Sequence, residues 1–169
     1  MRFTGDRVGK ADELLLSWGG GAQPRGSQDN RQQAIDYSFY AVDRSSRSRL
    51  SLGVSYTRIT TDAGSQRTAH VLSLYPQLTL IPTSAALDGF YFYVRALGPS
   101  YLSENVFGTR RQANHFTFQA QAGIGYEQVL TARQTLLVQL SWKHFSNANL
   151  FSANDGIDLP LVLSLGLRF

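Results

Sequence analysis

The sequence predicts an all-β fold: an eight-stranded antiparallel β-barrel that crosses a membrane. Three observations carry this reading. Apolar residues recur with period two in about eight places, the mark of strands with two unlike faces. No segment keeps a 3.6-residue period over three turns. The connections alternate between tight turns and longer polar loops, as in a barrel with turns at one end and loops at the other.

The segments follow in order. Residues 13–23 set Leu14, Leu16 and Trp18 on one face. Residues 33–43 align Ile35, Tyr37, Phe39 and Ala41 against Asp36, Ser38 and Tyr40. Residues 49–59 set Leu50, Leu52, Val54 and Tyr56 against Ser51, Gly53, Ser55 and Thr57. Residues 68–81 set Leu72, Leu74, Leu78 and Leu80 against Ser73, Tyr75, Gln77 and Thr79. Residues 89–99 oppose Phe90, Phe92 and Val94 to Tyr91, Tyr93 and Arg95. Residues 114–127 oppose Phe116, Phe118, Ile124 and Tyr126 to Thr117, Gln119, Gln121 and Gly123. Residues 134–146 place Leu140, Trp142, His144 and Ser146 together. Residues 157–169 carry Leu159, Leu161, Leu163, Leu165, Leu167 and Phe169 on one face, with Ser164, Gly166 and Arg168 on the other. Turns are expected at 44–47, 82–88 and 129–133, and loops at 24–32, 60–67, 100–113 and 147–156. Both termini then lie on the turn side, which is periplasmic in an outer-membrane barrel.

Strands of about 10 residues match a tilted membrane span. A soluble barrel also alternates, so the composition of the two faces has to choose. One face holds Asp36, Gln77, Tyr93, Arg95, Gln119 and Gln121, which suits a filled polar lumen; the other is almost wholly Leu, Phe, Ile, Val and Trp, which suits lipid. The 169 residues suffice for one domain spanning 1–169. Cysteine is absent, which removes disulfide scaffolds, thiolate metal sites and cysteine nucleophiles. The formal charge is +4, carried by basic residues standing singly or in pairs. That pattern suits an anionic surface, duplex DNA being only one candidate; on the membrane reading no nucleic-acid partner is expected. The first ten residues, MRFTGDRVGK, have no apolar core and do not read as a signal peptide. Met1 then either starts a cytosolic chain or stands where a signal peptide was removed.

The seventh segment raises a chemical question. His144 and Ser146 share the apolar face with Leu140 and Trp142, at the end expected to reach the outer leaflet. Residues two apart on a strand share a face, roughly 6.5–7 Å apart at Cα, so an imidazole can lean toward the hydroxyl and take its proton. The imidazole then needs a carboxylate. Asp158 follows across a hairpin, with Asp155 as a substitute. Strict alternation puts Asp158 on the lumen side, so a bent loop or a bulge has to turn it outward. Amides of Asn147, Asn149 or Asn154 are candidates to steady an oxyanion. By spacing alone His-x-Ser is a weak pattern, and a polar rim where the strand leaves the membrane is the better explanation of it. His70 and His115 are read as rim residues. Arg110, Arg111 and Arg67 fall on the loop side, where they either orient phosphates or are merely solvated.

The stretch His144-Phe145-Ser146-Asn147-Ala148-Asn149-Leu150, followed by Asn154-Asp155-Gly156-Ile157-Asp158, resembles the PagL family of outer-membrane lipid A 3-O-deacylases. Residues 98–104 with Phe107 and Gly108, residues 116–126 and the terminal apolar strand resemble it too. The resemblance implies an eight-stranded barrel that hydrolyses the ester-linked 3-hydroxyacyl chain at position 3 of lipid A, without metal or other cofactor. It implies Ser146 as nucleophile, His144 as base, Asp158 as the supporting acid and Asn154 as an oxyanion residue. Two positions depart from the family: Asp158 stands where glutamate is frequent, and Asn149 where glycine is. The implied partners are lipopolysaccharide and outer-membrane lipid, in the bacterial outer membrane with the site facing the outer leaflet. A homodimer is one open assembly. Two other readings stay open on the residues themselves: a non-catalytic barrel acting as adhesin or scaffold, and a soluble lipocalin-like barrel carrying an apolar ligand.

Overall fold

Period-two alternation becomes eight long strands in the computed structural model, which describes residues 8–9 and 12–169. They are β1 (Glu13–Ala22), β2 (Asp29–Ser45), β3 (Ser48–Thr61), β4 (Thr68–Leu80), β5 (Phe90–Leu102), β6 (Phe116–Val129), β7 (Thr135–Ser146) and β8 (Ile157–Arg168). Each pairs antiparallel with its sequence neighbour, and β8 pairs with β1, so the sheet closes. Closure removes the free edges that would otherwise leave backbone groups unpaired. Val8 and Gly9 add a short pairing to Val42 and Ala41. Met1, with its two readings as a cytosolic start or the place of a removed signal peptide, lies outside the described residues.

The faces are those the alternation predicts. Leu16, Ile35, Leu72, Phe92 and Leu165 point out and are exposed, while Ser17, Asp36, Ser73, Tyr93 and Ser164 point in and are buried. The mid-lumen is polar and filled. Arg95 Nη1 donates to Asp36 Oδ2 at 2.8 Å, its Nε donates to Gln77 Oε1 at 2.8 Å, and its guanidinium lies over the Tyr75 ring. At the turn end, Arg168 bridges Glu13 and Glu127 at 2.7 and 2.9 Å. The loop end departs from a uniformly polar lumen. Ile59, Val71, Leu102, Phe107, Phe145, Ile157 and Leu159 form a buried apolar cluster there, directly behind the strand ends that carry the site.

Strict alternation fails at bulges in β2, β5 and β8, with a further register shift between Asp43 and Ser45 at the turn end of β2. In β2 the register shifts between Ser38 and Tyr40, so Tyr40 turns out and Ala41 turns in, the reverse of the predicted parity. In β5 the extra residue lies at 96–97, shared by both ladders, with Leu97 at φ 53°. In β8, Pro160 and Leu161 together oppose Trp142. This last bulge corrects the predicted leucine face. Leu159 is fully buried, while Leu161, Leu163 and Leu165 stay outside. Proline fits a bulge because it has no N–H to give to the ladder.

Candidate active site

The site forms where β7 and β8 leave the barrel. His144 and Asp158 are register partners across the β7–β8 hairpin; His144 faces outward by the unbroken alternation of β7, and the β8 bulge turns Asp158 outward beside it. His144 Nδ1 lies 2.9 Å from Asp158 Oδ1. The two side chains are 25% and 15% exposed, enough to be reached from outside the barrel. Asp155, the substitute acid, is used elsewhere: its Oδ2 accepts the Arg111 N–H at 2.8 Å.

The imidazole is confined from two sides. Trp142 stacks on it with centroids 5.4 Å apart and planes 19° apart. On another side stands Gly156, at φ 67°; a Cβ there would lie 2.7 Å from His144 Cε1. Glycine is therefore needed twice at this position, for its backbone conformation and for the room it leaves the ring. With Nδ1 occupied by the carboxylate, Nε2 is the ring nitrogen left for proton transfer.

Asp158 is fixed by an amide chain from the first loop. Gln23 Nε2 donates to Asp158 Oδ2 at 2.6 Å, and Gln23 Oε1 accepts the Asp158 N–H at 3.0 Å. Asn30 Nδ2 donates to Gln23 Oε1 and to the Asp158 carbonyl, and Gln28 Nε2 donates to Asn30 Oδ1. These three amides are buried. Sequence reading missed them and treated 24–32 as a polar loop. The available signal was an amide cluster, Gln23, Gln28 and Asn30, beside strand ends that bury their neighbours.

Ser146 is the last residue of β7, outward like His144. Among the described residues its Oγ makes no hydrogen bond. The chain then turns sharply. Ala148 and Asn149 both have positive φ, 53° and 61°, and the Leu150 N–H donates to the Asn147 carbonyl at 3.0 Å. Two left-handed residues in succession are the mark of a type I′ turn. Asn149 takes that conformation readily. Asn154 pins the turn: its Oδ1 accepts the Asn147 N–H and its Nδ2 donates to Asn149 Oδ1, each at 2.9 Å. Asn147 is buried and ties the hairpin to the carbonyls of Phe151 and Ala153.

The family model for lipid A 3-O-deacylase (PagL) matches residues 34–168. The chain belongs to the PagL family. Its fold is similar to the crystal structure of the outer membrane enzyme PagL, with TM-score 0.63 and 20% identity over 91% of this chain and 97% of that one. A structure from de novo design of transmembrane β-barrels aligns at TM-score 0.45 and 13% identity, over 100% of this chain and 98% of that one. No curated protein matches the chain. PagL membership and the barrel make this an outer-membrane protein, and the apolar outer band is its lipid contact. The soluble-barrel reading falls with that.

The remaining candidates divide. Arg110 Nε and Nη2 are buried, with its guanidinium against Gly26 of the first loop. Arg111 is exposed but its backbone is tied to Asp155. Arg67 Nε donates to the Gly64 carbonyl. His70 and His115 stack on Tyr56 and Tyr101 at the rim. Among the described residues no group of three or more His, Asp or Glu gathers as a metal site.

Proposed function

We propose that the chain is a serine esterase acting on lipid A in the outer leaflet, with Ser146, His144 and Asp158 as its reacting set. The observation that carries this reading is the outward-facing His144–Asp158 contact of 2.9 Å beside Ser146. His144 Nε2 takes the Ser146 proton as Oγ attacks the ester carbonyl. The tetrahedral oxyanion is met by amide donors of the 147–154 hairpin, from Asn149 and Asn154 together with the backbone N–H groups of the turn. Collapse returns the proton to the departing sugar hydroxyl and leaves the acyl group on Ser146. Water, deprotonated by His144, then releases a 3-hydroxy fatty acid. The substrate slides in laterally from the leaflet, and the filled lumen takes no part.

Apo serine–imidazole contacts are frequently open and tighten when substrate binds, which fits the unbonded Ser146 hydroxyl. The test is mass spectrometry of lipid A from cells making the wild-type chain or Ser146→Ala. Wild type removes one hydroxyacyl chain, while the variant folds and removes none. Deacylation persisting in the variant rejects the nucleophile. An unchanged lipid A with wild type favours the non-catalytic barrel.

A further inference from the structure

Beside the site, on the outer surface, β1 loses its side chains. Gly19, Gly20 and Gly21 follow Trp18, with φ of 138°, 145° and 135°, a region other residues rarely adopt. A Cβ at Gly19 or Gly20 would collide with the carbonyl of Leu161 or Asn30. The bare backbone floors a groove of about 400 Å³, walled by Trp18, Arg31 and Arg58. Both arginines are exposed, and among the described residues neither forms an ion pair or hydrogen bond. Asp29 also borders the groove, and its N–H is held by Asp62 Oδ1 at 2.8 Å. The lining charge is therefore net positive.

Position gives the groove a ligand. Arg31 pairs with Gly20, which pairs with Leu161, three residues from Asp158. Arg58 pairs with Gln33 and with His70, on the rim near the loop end. Long arginine stems in that zone lie along apolar surface and lift their guanidinium groups to headgroup level. An unpaired guanidinium pair there suits a multiply charged oxyanion such as a phosphate. Three strand spacings, roughly 14 Å, separate β7 from β2, within reach of a disaccharide headgroup whose ester lies at Ser146.

We propose that Trp18, the glycine floor, Arg31 and Arg58 form a subsite for a phosphate of the glycolipid headgroup. The subsite rests on the lipid A reading above and positions the sugar so that one ester meets Ser146. Its ligand is the lipid phosphate, not a free ion.

The test uses the Ser146→Ala chain in detergent micelles, where nothing turns over. Tryptophan fluorescence, from Trp18 and Trp142, the chain's two tryptophans, reports binding of lipid A with its phosphates or stripped of them. Phosphorylated lipid is expected to bind about tenfold more tightly, and Arg31→Gln with Arg58→Gln is expected to erase that preference. Equal affinity for the two lipids, or a preference undiminished in the double substitution, overturns the subsite. Inorganic phosphate alone, in millimolar excess, is expected to compete weakly; full competition assigns the groove to free phosphate and overturns the lipid assignment. Deacylation is measured separately on the chain with Ser146 in place. A phosphate preference with no acyl release upholds the subsite and rejects the esterase.

Discussion

Replacing Gly156 by alanine tests whether the position of the imidazole sets the rate. Gly156 has φ 67°, where an L-residue costs roughly 1–2 kcal/mol. A new Cβ would stand 2.7 Å from His144 Cε1 and 3.3 Å from Nε2. Carbon pairs settle near ~3.5–4.0 Å, so the ring has to retreat by about 1 Å. A misplacement of that size at a reacting group costs about 10²-fold. Gly156→Ala is therefore expected to fold, lose that stability, and show kcat reduced about 10²-fold with KM little changed. The assay is release of hydroxy fatty acid by purified protein in detergent, with heat-dependent gel mobility to report the folded barrel. Gly89→Ala is the control. Gly89 has φ 82° and a Cβ there would meet Tyr126 at 2.7 Å, at the turn end far from His144. It is expected to cost similar stability and leave kcat alone. A Gly156→Ala enzyme with wild-type kcat would refute the placement of His144 as the proton carrier.

Asp158→Asn keeps the side-chain volume but removes the carboxylate, and is expected to lower kcat by roughly 10²- to 10⁴-fold, measured with the same release assay. Gln23→Leu leaves the Asp158 N–H without its acceptor, an expected loss of about 1–3 kcal/mol in urea unfolding; its kcat is also expected to fall, since Asp158 is freed to move. Leu165→Lys puts a charge on the outer face opposite Val138 and Leu16, and is expected to cost about 2–4 kcal/mol in bilayers near the midplane, read from the folding equilibrium in vesicles.

The strands were legible because a membrane barrel obliges every strand to alternate, and a closed ladder leaves little freedom in where alternation starts. Leu14 and Leu16 outside against Glu13 and Ser17 inside show how directly side-chain type follows face. Bulges were not legible in position. Tyr40, Ala41 and Leu159 are apolar or aromatic on either face, so a slip of one residue leaves no compositional trace; only Pro160 hinted at a break. His144 and Ser146 were legible from parity, and Asp158 from the need for an acid. The amide chain of Gln23, Gln28 and Asn30 was not, because it reaches Asp158 across 135 residues of sequence, a contact made only when β1 closes on β8. Gly156 escaped notice for a different reason: its importance lies in an atom it lacks.

The extra residue in β8 divides that strand into two stretches with independent phase. Below Pro160 the leucines keep step with the bilayer; above it the count restarts, and the acid surfaces beside the imidazole. Remove one residue at 160 and every amino acid of the reacting set survives, yet the carboxylate rotates into the plugged interior. What the hairpin inherits is thus an arithmetic as much as a vocabulary, and a single-codon deletion there would be silent to any census of side chains while disarming the surface.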